Sequence, residues 1–290
     1  MPEAAFALSA FGDEIAKDLN DQLMLLKELD IHHLDLRSAW GKGLLEMTDA
    51  DVERVRRRCS AHGMHVACLG SPVGKSPLEG PIEDALSNLA RVCEIGRALD
   101  CRRVRVFSFY PPDAETQVDV DGYLNAAVSR LTRWVELAER EDALLLLENE
   151  KRLVGDTIER CHVLLSRLRS PHLRFLWDPA NFVQVEAAGP TERGWPLLGQ
   201  YVSYVHIKDA DGGDGSVCVA GEGDGQIGAL LTRLREEGYR GFLSLEPHLV
   251  AAGRDGGFSG ATEMTRAVGA LRRLMAETGC IEVDHIPRSV

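Results

Sequence analysis

The chain has 290 residues, 44% of them hydrophobic, and a formal net charge of −12. This hydrophobic content is enough for a sizeable core, but no apolar run approaches the length of about 18 residues that a membrane span needs. The lack of such a run predicts no membrane partner, and the acidic balance, which repels phosphate backbones, predicts no nucleic-acid partner. The seven cysteines form no CxxC pair, and the N-terminus has no basic segment followed by an apolar one. We therefore expect a cytoplasmic protein with reduced thiols.

The first half of the chain alternates predicted strands and amphipathic helices. Short apolar runs predict strands over residues 6–11, 32–37, 64–69 and 103–109. Apolar residues at helical spacing predict helices over residues 18–29, 49–62, 82–99 and 123–140. Thr48 precedes the second helix as an N-cap, because its hydroxyl can accept from an unpaired amide of the first turn.

In the second half, four apolar runs each carry a polar side chain at or near the carboxyl end. These side chains are Glu148 after the leucines 144–147, Asp178 after Trp177, His206 within the run 201–208, and Glu246 after Leu245. Helices are predicted near residues 157–168, 192–198, 227–237 and 261–277. The four polar residues are 30, 28 and 40 positions apart, which is the spacing of one strand–helix unit each.

Eight strand–helix repeats predict an α/β fold, a single closed (β/α)8 TIM barrel. An open doubly wound sheet is the competing architecture. It would spread the four polar side chains along one edge, whereas a barrel brings them around one mouth. No linker rich in Pro, Gly or Ser divides the chain, so we expect one barrel domain over residues 1–280. Residues 281–290 are predicted to be a C-terminal tail, either loose or in contact with a neighbouring subunit.

The polar residues at the predicted mouth point to a metal ion. Carboxylates packed together repel one another, and a divalent cation removes that repulsion. We therefore predict one divalent metal ion bound by Glu148, Asp178, His206 and Glu246. Three carboxylates and one imidazole suit Mn²⁺, Co²⁺, Mg²⁺ or Zn²⁺. Oxygen-rich ligation favours Mn²⁺ or Co²⁺ over Zn²⁺, and Mn²⁺ is our first expectation.

The sequence around these residues resembles the sugar phosphate isomerase/epimerase superfamily, the xylose isomerase-like barrels. The resemblance covers nearly the whole chain, and its sharpest motifs are Glu148-Asn149-Glu150, Asp178-Pro179-Ala180-Asn181-Phe182, Val205-His206-Ile207-Lys208-Asp209, Gly221-Glu222-Gly223 and Leu243-Ser244-Leu245-Glu246-Pro247-His248. The opening residues 9–14 and residues 36–40 are similar to a little-characterised bacterial branch. The resemblance implies a metal-dependent isomerase or epimerase whose partner is a small carbohydrate.

By this resemblance, the metal acidifies a carbon-bound proton of a keto-sugar or a polyol-derived ketone. Glu148 and Glu246 would face each other across the sugar, one taking the proton and the other returning it through an enediolate. Lys208 would stabilise an oxyanion or donate a proton; a rim salt bridge with Asp209 is its alternative role. The remaining predicted substrate contacts are Arg37, Trp40, Glu150, Asn181 and His248. For Trp40, packing in the core is the alternative.

The sequence departs from the epimerase pattern near two of the predicted ligands, and it has an apolar segment near the mouth. Ketose 3-epimerases in the resembled superfamily carry a substrate-binding His three residues after the metal Asp and an Arg shortly after the metal His. Here those neighbourhoods hold Asn181 and residues 211–213, Asp-Gly-Gly. The alternative function is therefore a lyase, an inosose-type dehydratase or a 3-keto-glycoside eliminase. Residues 182–185, apolar and expected to be exposed near the mouth, predict a homodimer.

Overall fold

The structure, a computed structural model, describes residues 3–112, 120–186, 189–253 and 256–286. Within these residues, eight parallel strands close into a barrel in which each strand pairs with its neighbours in the chain and the last pairs with the first. The strands are β1 Ala5–Phe11, β2 His33–Leu36, β3 His65–Leu69, β4 Arg103–Val106, β5 Leu144–Glu148, β6 Leu173–Trp177, β7 Val202–Ile207 and β8 Arg240–Leu245. The predicted (β/α)8 barrel is confirmed.

Helices follow the strands throughout the described chain. They are α1 Leu19–Glu28, α2 Asp49–His62, α3 Ile82–Ala98, α4 Val120–Arg140, α5 Ile158–Leu168, α6 Pro179–Glu186, α7 Pro190–Leu198, α8 Ile227–Glu236 and α9 Gly260–Thr278. Helix α2 has the predicted bounds. Thr48 Oγ1 accepts the Asp51 amide at 3.2 Å, and the Asp51 carboxylate accepts the Thr48 amide at 3.0 Å, so the predicted N-cap forms a reciprocal capping box.

Strand β4 is shorter than predicted. It ends at Val106, whereas the apolar run continues to Phe109. The amides of Phe107 and Phe109 donate to the carbonyls of Val73 and Gly74, in the loop that follows β3. These hydrogen bonds take the two residues out of the barrel ladder, although both side chains stay buried.

Helix α6 was not predicted, and it corrects the expectation for residues 182–185. Its first turn is held by the Asn181 amide, which donates to Asp178 Oδ1 at 2.9 Å. The helical turn directs Phe182 and Val183 inwards, where they are 0% and 3% exposed, while Val185 is 37% exposed. The expected exposed apolar segment is therefore wrong for its first two residues, because its apolar side chains pack beneath the helix.

Successive residues of a barrel strand lie in two different apolar environments. Leu145 and Leu147 of β5 belong to the large cluster that includes the inner faces of the helices. Leu146 instead joins Leu176 and Tyr204, from other barrel strands, in a separate small cluster. Because successive residues of a strand face opposite sides, this small cluster is the barrel interior.

A polar layer covers this interior cluster on the side of the strands' carboxyl ends. Asp35 is fully buried and accepts hydrogen bonds from the Tyr204 hydroxyl at 2.6 Å and the Ser244 hydroxyl at 2.9 Å. The His206 ring lies next to Tyr204, with ring centroids 6.2 Å apart. The polar layer thus connects the packed interior to the barrel mouth.

The chain after α9 crosses the amino end of the barrel. The Val283 amide donates to the Phe6 carbonyl at 2.9 Å, and His33 Nε2 lies 2.8 Å from the Asp284 carbonyl. Val283 and Ile286 pack against the interior cluster. Contact between this tail and a neighbouring subunit stays a prediction, and residues 287–290 lie outside the described residues.

Two further findings concern the expectations from composition. No helix within the four described ranges is long and apolar enough to cross a membrane. All seven cysteines are free, and six of them are buried.

Candidate metal centre

The four predicted ligands meet at the carboxyl end of the barrel. Each lies two residues beyond an interior position: Glu148 after Leu146, Asp178 after Leu176, His206 after Tyr204 and Glu246 after Ser244. Residues two apart in a strand point to the same side, so all four side chains enter the mouth. One ligand atom from each side chain lies within 4.8 Å of the others, and all four residues are buried.

The imidazole of His206 faces the three carboxylates through Nδ1. This nitrogen is 3.1 Å from Glu148 Oε1, 3.4 Å from Glu246 Oε2 and 3.9 Å from Asp178 Oδ2. The edge of the ring meets Phe11, with ring centroids 5.2 Å apart. The three carboxylates therefore converge on one imidazole nitrogen, and Phe11 packs against the ring.

This donor set fits a divalent metal ion. Glu148 Oε2 and Asp178 Oδ2 are buried, and the groups beside them are cationic, Arg105 Nη1 at 3.4 Å and Lys208 Nζ at 2.7 Å. Neither oxygen accepts a well-aligned hydrogen bond within the described residues, so each can also bind a metal cation. Carboxylate oxygens with one imidazole nitrogen form a ligand set used for first-row divalent metals. Glu148, Asp178, His206 and Glu246 could thus hold the ion.

Lys208 is buried beside the cluster, two residues beyond His206. Its Nζ lies 2.7 Å from Asp178 Oδ2 and 3.5 Å from Glu246 Oε2. The alternative of a salt bridge with Asp209 is wrong. The Asp209 carboxylate instead accepts the amides of the glycine-rich loop, including Gly221 at 2.8 Å and Gly225 at 2.9 Å.

Two arginines approach the glutamates from the other side. Arg37 Nη1 lies 2.9 Å from Glu246 Oε1. Arg105 Nη1 lies 3.4 Å from both Glu246 Oε1 and Glu148 Oε2, so it bridges the two glutamates. Arg105 is only 4% exposed, with its guanidinium 5.0 Å from the ring centroids of both Phe11 and Phe107.

These neighbours shift the pKa values of the cluster. Burial would raise the pKa of Glu246, but Lys208 and His206 outweigh it and hold this pKa well below its usual range. Burial would lower the pKa of His206, but the carboxylates of Glu148 and Glu246 raise it to about 9. Burial raises the pKa of Asp178 to about 6 against the opposing effect of Lys208. Without a metal, a protonated His206 therefore balances part of the carboxylate charge.

Asparagines hold Asp178 in place. The Asp178 amide donates to Asn149 Oδ1 at 2.9 Å, and Asn149 Nδ2 donates back to the Asp178 carbonyl at 2.8 Å. Asn181 Nδ2 donates to the Asn149 carbonyl at 2.9 Å and lies 3.4 Å from Glu148 Oε1. The predicted substrate contact Asn181 thus also links two of the candidate ligands.

The other predicted contacts divide between two cavities at the mouth. Glu150, Asn181, Lys208 and His248 line a cavity of about 420 Å³, and Arg37 lines an adjoining one of about 380 Å³. Trp40 is not among the residues that line either cavity. Its ring packs against the hydrophobic core and carries the Arg54 guanidinium 3.9 Å from the ring centroid. Trp40 therefore packs against the core, as the alternative prediction stated, and does not line the site.

Comparison with known proteins agrees with the barrel. The family model described as "Xylose isomerase-like TIM barrel" matches residues 25–274. The chain belongs to this family. A search of curated proteins found no match.

Solved structures of similar fold include enzymes of two reaction classes. A D-tagatose 3-epimerase-like protein has a TM-score of 0.75 and 17% identity, over 94% of this chain and 98% of the other. D-psicose 3-epimerase from Clostridium cellulolyticum H10 has a TM-score of 0.72 and 14% identity, over 93% and 99%. The probable 3-DHS dehydratase AsbF from Bacillus anthracis has a TM-score of 0.71 and 14% identity, over 92% and 98%. At these identities, the likeness shows the shared xylose isomerase-like fold.

Two buried residues of the site were missed by the sequence reasoning. Arg105 lies in β4, two residues beyond Arg103, in a strand that carried no predicted ligand. Glu14 is 0% exposed and hydrogen-bonded to His248. The alternation of Arg103, Arg105 and Phe107 could have indicated an inward side chain at position 105. Glu14 lies in a short turn after β1, where no periodicity marks a direction.

Proposed function

We propose that this protein is a divalent-metal-dependent sugar isomerase or epimerase that acts on a keto-sugar or a polyol-derived ketone. The observation that carries the proposal is the pair of buried glutamates Glu148 and Glu246, 3.1 Å and 3.4 Å from His206 Nδ1, at the mouth of a xylose isomerase-like barrel. Mn²⁺ is the preferred ion. The cytoplasmic location and the homodimer stay predictions from the sequence.

The bound metal supplies polarisation of a substrate carbonyl and its adjacent hydroxyl. The chain itself supplies the proton transfer. Glu148 takes the proton from the carbon that bears this hydroxyl. Glu246 receives a proton from the Lys208 ammonium, 3.5 Å away, and delivers it to the opposite face of that carbon. Lys208 and Arg105, with their cationic groups against the glutamates, stabilise the charge of the enediolate. Phe11 and Phe107 exclude water from the arginine side of the site.

The alternative function, a lyase, uses the same first step. It is favoured by one observation, the ammonium of Lys208 buried at 2.7 Å from Asp178 and within 3.5 Å of Glu246. A cation in this position can protonate an oxygen that leaves the carbon next to the enediolate. The likeness in fold to both epimerases and a dehydratase supports keeping both reactions.

The test uses metal-loaded protein and a panel of keto-sugars, inososes and 3-keto-glycosides in deuterated water. We expect Glu148→Gln and Glu246→Gln each to lose roughly 10²-fold or more in kcat, the scale of a positioned acid or base. In an epimerase, one variant still exchanges the substrate proton with solvent and forms no epimer. In a lyase, the variant that keeps the base retains elimination. Full activity in a metal-replete Gln variant at either position would show that this glutamate is a ligand only.

A further inference from the structure

His248 and Glu14 form a buried pair beside the candidate metal centre. His248 lies two residues after Glu246, with only 8% of its surface exposed, and it lines the 420 Å³ cavity. Glu14 follows β1 and is 0% exposed. His248 Nδ1 is hydrogen-bonded to Glu14 Oε1. His248 Nε2 lies 4.0 Å from Glu246 Oε1, so the other edge of the ring faces this glutamate.

Within the described part of the chain, the hydrogen-bond partners of the Glu14 carboxylate are donors, and one of them is the cation of Arg37. Oε2 accepts the Ser259 hydroxyl at 2.9 Å and the His248 amide at 3.2 Å. Arg37 Nη2 lies 3.3 Å from Oε1. A carboxylate in such surroundings is ionised and can only accept. The proton of the shared hydrogen bond therefore belongs to His248 Nδ1, and Nε2 is the ring nitrogen that faces Glu246.

The backbone around the pair is shaped to hold the ring in this position. His248 itself has a φ of 52°, in the left-handed region that non-glycine residues rarely adopt. A Cβ at Gly257 would lie 2.1 Å from His248 Nδ1, so a side chain at position 257 would displace the ring. Backbone strain of this kind persists only where surrounding contacts enforce it. The Glu14 carboxylate, which binds both the amide and the ring of His248, supplies those contacts.

We propose that Glu14 is a positioning residue that fixes the proton of His248 on Nδ1, and that His248 Nε2 contacts an oxygen of the substrate next to the carbon that the glutamates deprotonate. The second half of this inference, the contact between His248 Nε2 and the substrate, rests on the proposed function. The first half, the position of the His248 proton, concerns the protein alone. The arrangement follows the general logic of a histidine oriented by a carboxylate, in which the bond at Nδ1 decides what Nε2 offers.

The first half is tested on metal-free protein by nitrogen-15 NMR of the imidazole groups at alkaline pH, with His248 assigned from its loss in His248→Asn. We expect a protonated Nδ1 in the wild type and loss of this state in Glu14→Leu, which removes the acceptor. Glu14→Gln is the second variant in case the leucine protein does not fold. Asp13→Asn is the matched control, because Asp13 contacts Arg37 at 2.9 Å and is not a partner of His248. A wild-type ring with its proton on Nε2 alone would overturn the proposal.

The second half is tested by kinetics, with a free ketohexose or a 3-keto-glucoside as the probe, whichever exchanges its proton faster. His248→Asn keeps a group near the Nδ1 position, and His248→Gln keeps one near the Nε2 position. We expect the Asn variant to lose roughly tenfold or more in kcat/KM, the scale of one hydrogen bond, and the Gln variant to recover part of it. Glu14→Leu should add little to His248→Asn, because both changes remove the same contact. Additive losses, or an Asn variant equal to wild type, would refute the contact. The NMR experiment needs no substrate, so its result tests the Glu14–His248 pair alone. Failure of the proposed function would affect only the kinetic experiment.

Discussion

Metal binding at this site is expected to release a proton, and the proton comes from His206. In the metal-free protein, Glu148 and Glu246 raise the pKa of His206 to about 9. The ring is therefore cationic at neutral pH, while a metal requires an unprotonated nitrogen. The pKa values of both glutamates are lowered, so they release no proton near neutrality. With the pKa of Asp178 at about 6, its proton is largely lost already at pH 7.

The expected magnitude follows directly. At pH 7, binding of Mn²⁺ should release about one proton per ion, and the apparent affinity should rise about tenfold per pH unit between roughly pH 7 and 9. Calorimetric titrations with MnCl₂ in two buffers of different ionisation enthalpy measure the number of released protons. His206→Gln, which has no titrating group, should bind more weakly and release almost none. A wild-type release near zero at pH 7 would refute the reasoning, because it would mean that His206 is neutral before the metal arrives.

Two further predictions concern the ligand set and the barrel base. Asp178→Ala should lose the metal in elemental analysis of chelator-free preparations while the circular dichroism stays unchanged. Asp35→Asn is the control, because Asp35 lies in the buried polar layer below the four ligands, and this variant should keep the metal. If Asp178→Ala also kept the metal, Asp178 would not be a ligand. Burial lowers the pKa of His33 to about 4 from an ordinary 6.5, so the unfolded chain binds the extra proton between these values and stability falls as pH falls. The full effect corresponds to about 3 kcal/mol below pH 4, and denaturant unfolding of His33→Gln should lack this part of the pH dependence; identical curves would contradict it.

The architecture could be predicted because its signals are local. Four apolar runs, each with a polar residue at its carboxyl end, determine both the strand positions and the side on which the ligands lie. The alternation that carries Leu146 into the interior also carries Glu148 into the mouth. Helix α2 could be placed to the residue because Thr48 and Asp51 form its capping box within one turn of sequence.

The parts that could not be predicted depend on contacts between distant segments. Glu14 and His248 are 234 residues apart. The charge of Arg105 is typical of a solvent-exposed side chain, and only the closed barrel places it between the two glutamates. Residues 182–185 were expected to be exposed because helix α6 was not predicted from the sequence. This helix buries Phe182 and Val183. Strand β4 ends earlier than predicted because the amides of Phe107 and Phe109 donate to the loop after β3. The local periodicity of the sequence does not show these hydrogen bonds.

The two glutamates of the cluster are not equivalent, and this decides which should take the proton. Arg37, Arg105 and Lys208 all lie within 3.5 Å of Glu246, whereas Arg105, at 3.4 Å, is the arginine that reaches Glu148. Each cation favours the ionised form of a carboxylate and makes it a weaker base. Glu148 is therefore expected to abstract the proton, whereas Glu246 delivers a proton that it receives from Lys208. Glu148→Gln should then abolish deuterium exchange of the substrate, and Glu246→Gln should retain exchange while forming no epimer. The reverse pattern would assign abstraction to Glu246 in spite of its cations, and would mean that Arg37 leaves this carboxylate when the substrate binds.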